Sequence, residues 1–214
     1  MTKGHWLESG SKSRSALLVI DVQNDFCPGG ALGVPGGDEI IPGINLLSGR
    51  FPVTVFTQDW HPQDHLSFAS NREEGVPFEV VDAGYGEQVL WPDHCVQGSH
   101  GAGFHADLCH DMADMVIRKG MNPAIDSYSA FFENDRITPT GLEGYLRTRD
   151  VERVICVGLA TDFCVHYTAV DAARLGFQVV VPEDYCRAID LDGSLAAARG
   201  AMTGAGVEII APAD

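Results

Sequence analysis

The sequence predicts a three-layer α/β/α domain around a mostly parallel sheet of about six strands. Short apolar, β-rich runs alternate with helix-length segments along all 214 residues. The best of those runs are continuously apolar rather than alternating, as strands covered on both faces must be. No internal repeat, heptad pattern or low-complexity tract competes with that reading. Hydrophobic residues make up 45% and charged residues 21%, a globular balance that supports a core without staples.

Residues 1–14 are polar and rich in Gly, Ser and Lys, and read as a leader ahead of one domain over 15–214. Ala16–Asp21 is an apolar run ending in a carboxylate, the first strand. A glycine-rich loop follows, then a helix over Asp38–Leu47 that must accommodate Pro42. Phe51–Thr57 is the second strand and runs into Asp59-Trp60-His61. The segment at about 59–111 is irregular, rich in Gly, Pro, His and Asp, and long enough to be functional. Beyond it come a strand at Met112–Arg118, a helix at Thr140–Arg149 and a strand at Glu152–Gly158. A helix over Thr161–Leu175 is stopped by Gly176. Phe177–Val181, Ser194–Thr203 and Val207–Ala211 complete the pattern as strand, helix and strand.

The charge excludes several functions. Fourteen Lys and Arg against thirty Asp and Glu leave −16, the wrong sign for nucleic acid or an anionic membrane. Ala16–Ile20 is too short for a signal-peptide core or a membrane span, so a cytoplasmic location is expected. Six cysteines (Cys27, Cys95, Cys109, Cys156, Cys164, Cys186) form no CxxC pair and read as reduced thiols. A homo-oligomer is compatible with this surface.

Ligands of open parallel sheets sit beyond the carboxyl ends of the strands, and those ends carry the chemistry here. Cys164 lies three residues after Thr161. With Thr161 as helix cap, the thiol falls in the first turn, where free N–H groups favour a thiolate and can hold an oxyanion. A buried, inert thiol is the bland alternative, and Cys156 inside its strand keeps that reading. Asp21 is either a loop cap or a general base. Lys119 either reaches for water or stabilises negative charge beside a thiol. Together the three form a nucleophile, base and cation set. Asp59 and His61 are two residues apart and share a face if the strand continues; with His94 they make a mixed O/N set suited to one divalent cation, Zn, Mn or Fe. His100, His105 and His110 read as loop surface.

These residues sit in motifs: Leu17-Leu18-Val19-Ile20-Asp21-Val22-Gln23-Asn24-Asp25-Phe26, Asp59-Trp60-His61-Pro62-Gln63-Asp64-His65, Trp91-Pro92-Asp93-His94-Cys95-Val96, Arg118-Lys119-Gly120 and Ala160-Thr161-Asp162-Phe163-Cys164-Val165. In this order they resemble the nicotinamidases, which also act on pyrazinamide, within the isochorismatase-like cysteine hydrolases. The resemblance runs from about Ser15 to the C-terminus. It implies Cys164 as nucleophile, Asp21 as general base and Lys119 as the third member of the triad. It implies Asp59, His61 and His94 as ligands of one metal ion, zinc first, with His65 and Ser67 the candidates for a fourth ligand that some relatives add. It also implies a cis peptide before Ala160, whose N–H joins that of Cys164 in an oxyanion hole. Phe26, Trp91 and Tyr128 fall where family aromatics wall the ring pocket, and Phe163 stands at its edge. The implied reaction is hydrolysis of nicotinamide to nicotinate through a thioester, in NAD salvage. The alternative is a relative of the metal-free type that cleaves carbamoyl compounds or other small amides. A metallohydrolase using metal-bound water and a non-catalytic binding module are the rivals outside this chemistry.

Overall fold

The structure is a computed structural model describing residues 14–212; the expected leader lies almost wholly outside the described residues. Strand β1 (Ser15–Ile20) is buried along its whole length, as is β6 (Arg153–Leu159). Each Val, Leu or Ile in them contributes about 1.5–3 kcal/mol on burial, so these two central strands anchor the sheet. Helix α1 (Ile41–Ser48) follows β1 and inserts Ile41, Ile44 and Leu47 into the core. It starts three residues later than the sequence suggests. Pro42 sits in its first turn, where a missing N–H costs nothing.

Strands β2 (Val53–Asp59) and β5 (Met115–Lys119) extend the sheet on one side of β1. On the other side lie β6, β7 (Gln178–Pro182) and β9 (Glu208–Ile210), giving the order β5-β2-β1-β6-β7-β9. Every pair on this path is parallel. Helices α2 (Leu142–Arg147), α3 (His166–Arg174) and α4 (Ser194–Gly204) supply, with α1, the outer layers. Small residues on the buried side of α3, Ala169 and Ala172, let it lie close to the sheet. Gly176 ends that segment at φ 87°, as a left-handed cap should. Among the described residues no helix is long and apolar enough to cross a membrane.

Three features depart from expectation. The irregular segment contains an antiparallel hairpin of β3 (Val80–Asp82) and β4 (Glu87–Val89), separate from the main sheet. Gly84 and Gly86 at positive φ make its turn, and its mostly solvent-facing strands lack the apolar alternation that would have announced them. A two-residue strand, β8 (Cys186–Arg187), also adds to the end of β6. Thr161 does not cap the helix. The boundary residue is Ala160, without a side-chain cap, and Thr161–Val165 form a π-type turn. Phe163 N–H and Val165 N–H both donate to the Ala160 carbonyl, at 3.1 and 3.2 Å, which widens the turn beyond α-helical pitch.

The chain runs outward through β2 and β5, then returns to β6 and proceeds the other way. The switch falls between β1 and β6, the place where an open parallel sheet opens a crevice. Gly158 makes that junction tight: at φ 120°, a methyl there would run into the Ile20 backbone, its carbonyl oxygen first. Gly158→Ala is therefore expected to cost about 3 kcal/mol or more, read as a lowered urea midpoint with an unchanged m-value.

Candidate active site

The ends of β1, β2, β5 and β6 converge on one buried cluster. Asp21 follows β1 in a left-handed conformation at φ 48°. Thr57 fixes it from β2: its hydroxyl donates to Asp21 Oδ1 at 2.6 Å and accepts the Asp21 N–H at 3.1 Å. Lys119, opposite Asp59 in the β2–β5 register, places its ammonium among three groups. Nζ lies 2.8 Å from Asp21 Oδ2, 2.5 Å from Asp59 Oδ1 and 3.4 Å from Cys164 Sγ. It also donates to the Ser127 carbonyl at 2.9 Å. Cys164 is buried in the turn that follows β6, and the Leu159–Ala160 peptide leading into that turn is cis.

Burial dominates the electrostatics. It raises the Asp21 carboxyl above its usual range, with Lys119 opposing. It also works to raise Asp59, but Lys119 and His61 outweigh it and hold that carboxyl well below the usual range. Burial alone would lower Lys119; Asp21 and Asp59 reverse this and keep it charged. The Cys164 thiol is pushed well above its ordinary value by desolvation, only partly offset by Lys119. The resting pair is thus a thiol whose sulfur lies within 4.8 Å of the Asp21 carboxylate, with Oδ2 of that carboxylate ion-paired to Lys119 at 2.8 Å. That carboxylate can accept the thiol proton.

Asp59 also faces the other way. His61 Nε2 lies 3.4 Å and His94 Nε2 3.8 Å from its Oδ2. The Nδ1 atoms of these rings donate to the carbonyls of Gly120 (2.9 Å) and Pro92 (2.8 Å), which leaves each Nε2 as a lone-pair donor. Gly120, at φ 65°, is needed for this approach, because a Cβ there would strike the His61 ring. Burial pulls His94 down to about 4, so it is ready as a neutral ligand. The three donor atoms lie within 4.8 Å of one another, and the set fits one divalent cation with open positions. His65 groups with His61 and Asp126 instead; its Nδ1 is bonded to Ser67 Oγ at 2.7 Å. Of the four carboxylate and imidazole candidates, the group that holds Asp59 and His94 contains His61 and not His65.

One cavity meets both the thiol and two of the cation-site donors: it is lined by Phe26, Trp91, Tyr128 and Phe163 with Asp59, His94, Ala160 and Cys164. Trp91 stands perpendicular to Phe163 (84°, centroids 4.9 Å) and to Tyr128 (84°, 6.3 Å). All four expected aromatics therefore meet at one slot. Leu32, Ile189 and the buried carboxylate Asp126 also line it, and sequence reasoning missed all three. Thr57 was missed as well, although a hydroxyl inside an apolar strand two residues before Asp59 was a usable signal.

A deep crevice at a sheet switch point, with a thiol, a carboxylate and an ammonium in contact, defines a cysteine hydrolase of α/β type. The chain belongs to the isochorismatase domain family, whose pattern matches residues 15–214. It is 53% identical over 195 residues to a nicotinamidase of Acinetobacter baylyi, covering 91% of each chain. A solved nicotinamidase–pyrazinamidase of Acinetobacter baumanii superposes with a TM-score of 0.91 at 54% identity, over 92% of this chain and 96% of that one. A pyrazinamidase of Pyrococcus horikoshii solved in complex with zinc gives 0.73 at 38% identity, over 92% and 98%.

Proposed function

We propose that this chain is a nicotinamidase, hydrolysing nicotinamide to nicotinate and ammonia in NAD salvage, and that it deamidates pyrazinamide as well. The observation that carries this is the aromatic slot whose lining includes Cys164 of the thiol–carboxylate–ammonium cluster together with Asp59 and His94 of the Asp59–His61–His94 donor set. Relatives of the carbamoyl-cleaving type lack that donor set, which favours the nicotinamidase over that alternative.

In this reading nicotinamide lies in the slot with its carboxamide at Cys164. Asp21 takes the thiol proton as sulfur bonds to the amide carbon. The resulting oxyanion is held by the N–H groups of Ala160 and Cys164. Collapse breaks the C–N bond, Asp21 returns its proton to the departing nitrogen, and ammonia leaves. Water, deprotonated by the same carboxylate, then attacks the thioester; the C–S bond breaks, Asp21 returns the proton to the Cys164 sulfur, and the acid leaves as nicotinate. Lys119 stays charged throughout and balances the negative charge on Asp21 and the sulfur. Asp59, His61 and His94 would hold a divalent ion, zinc first with manganese or iron suited to the same donors, and it would supply a Lewis-acid position for the ring nitrogen.

The direct test is incubation with nicotinamide and measurement of nicotinate; absence of nicotinate from metal-replete protein would refute the reading. For the cation, His94→Ala is expected to weaken metal retention by roughly 10–100-fold or more, read by mass spectrometry of dialysed protein. Undiminished metal content would remove His94 from the ligand set. A pH dependence follows from Asp21, which must be ionised to accept the proton. Because burial raises its pKa, kcat/KM should fall on the acid side at a higher pH than an ordinary carboxylate with pKa of about 3.9 would dictate.

A further inference from the structure

Hairpin β3–β4 is largely exposed, yet one of its side chains, Gln88, is only 1% exposed. Its amide reaches under the wall of the aromatic slot and is fully used. Nε2, with two hydrogens, lies within hydrogen-bond distance of three acceptors: Asp126 Oδ2 at 2.7 Å, the Val89 carbonyl at 2.8 Å and the Tyr128 hydroxyl oxygen at 2.9 Å. Oε1 accepts from the Tyr85 hydroxyl at 2.9 Å and from Asn134 Nδ2 at 3.0 Å. Asn134 closes the ring of contacts: its N–H donates to the Asp126 carbonyl at 2.7 Å, and its Oδ1 accepts the Tyr128 N–H at 3.0 Å. The Tyr128 hydroxyl also accepts Trp91 Nε1 at 3.0 Å. Two of the four aromatic walls are thus tied together at one oxygen, and Gln88 is the group that ties that oxygen to the hairpin.

We propose that Gln88 is a positioning residue for the substrate ring, holding Tyr128, Trp91 and Asp126 so that the slot keeps the width of one aromatic ring. The proposal rests on the nicotinamidase reading and deepens it. Edge-to-face walls have little steric reason to stay upright unless their polar tips are fixed. Buried networks of this kind hold one geometry only while every member is satisfied. Removing the amide leaves the Asp126 carboxylate oxygen and one side of the Tyr128 hydroxyl without a donor, and both groups are then free to rearrange into the slot. The reacting groups are held from elsewhere, Asp21 by Thr57 and Lys119 by Asp59. Loss of Gln88 should therefore act on binding of the ring and much less on chemistry.

The experiment is a double-mutant cycle of Gln88→Met, which keeps the side chain's length, with Tyr128→Phe, which keeps the ring, assayed for kcat and KM on nicotinamide. Gln88→Met is expected to raise KM roughly tenfold with kcat within about threefold of wild type, the loss of one buried charge-assisted hydrogen bond. Tyr128→Phe should raise KM in the same direction. The two effects should not multiply in the double variant, because both remove the same tie. Glu87→Gln, exposed on the same strand, should leave both constants unchanged. A KM within about twofold of wild type for Gln88→Met, or effects that multiply in the double variant, would overturn the proposal. If Gln88→Met does not fold, the Tyr128→Phe arm decides, and an unchanged KM there overturns it. Wild type that yields no nicotinate refutes the nicotinamidase reading instead, so the two failures are distinguishable.

Discussion

Cys164→Ala is expected to lower kcat for nicotinamide hydrolysis by roughly 10⁴-fold or more, with metal content unchanged. The size follows from the absence of a substitute. Cys95 and Cys156 are buried and held protonated by desolvation, and Cys109 is exposed on the surface. Only Cys164 has both an acceptor for its proton, Asp21, and a cation, Lys119, at 3.4 Å. Cys109→Ser in parallel should retain full activity. The comparison separates loss of the nucleophile from general thiol damage. Chelator-treated wild type, assayed beside them, reports on the Asp59–His61–His94 side of the slot alone. A Cys164→Ala protein with near-normal kcat would remove the thioester from the mechanism.

Lys119→Met has the second largest expected effect, and it should appear in stability as well as activity. The ammonium is shared by two buried carboxylates, at 2.8 and 2.5 Å. Removing it leaves Asp21 without a countercharge beside Asp59, which keeps only its contacts on the His61–His94 side, a loss of about 3–5 kcal/mol for a broken buried ion pair at neutral pH. The variant's folded-state carboxylate pKa is then raised above the unfolded value, because like charge and burial act unopposed. A raised carboxylate binds its proton more tightly in the folded state. The folded form thus gains relative stability as pH falls, and the deficit against wild type should shrink between neutral pH and about pH 5. Urea unfolding at the two pH values reads this directly. A deficit that grows on acidification would contradict the assigned contacts. Activity should fall by roughly 10³-fold or more, since Asp21 then holds a proton and cannot accept the thiol's.

Much of the site was legible because charged residues interrupt or end apolar runs. Asp21 after Leu17–Ile20 and Lys119 after Val116-Ile117-Arg118 each stand out against β-rich sequence, and the strand order brings both to Cys164. The Asp59-x-His61 spacing was legible for a similar reason: β2 runs to Asp59, and His61 follows close enough to share its face. The central strands and the helix boundaries near Ile41, Leu142 and Ser194 fell within a few residues of expectation. Gln88 and Asp126 were not legible, because nothing local distinguishes a polar loop residue that is buried from one that is solvated. Their burial is decided by the packing of 126–134 against the hairpin, which involves contacts 38 and 46 residues apart in sequence. The π-type turn at Thr161–Val165 escaped for another reason: Thr before a helix is ordinarily a cap, and here the Ala160 carbonyl takes two donors instead.

The most direct test is to mix enzyme with excess nicotinamide, quench in acid on the millisecond scale, and map the peptides by mass spectrometry. One nicotinoyl group on the peptide carrying Cys164, formed before nicotinate appears and absent from Asp21→Asn, is the predicted result. Steady nicotinate release with Cys164 unmodified at every time, and surviving alkylation of the thiol, would contradict it.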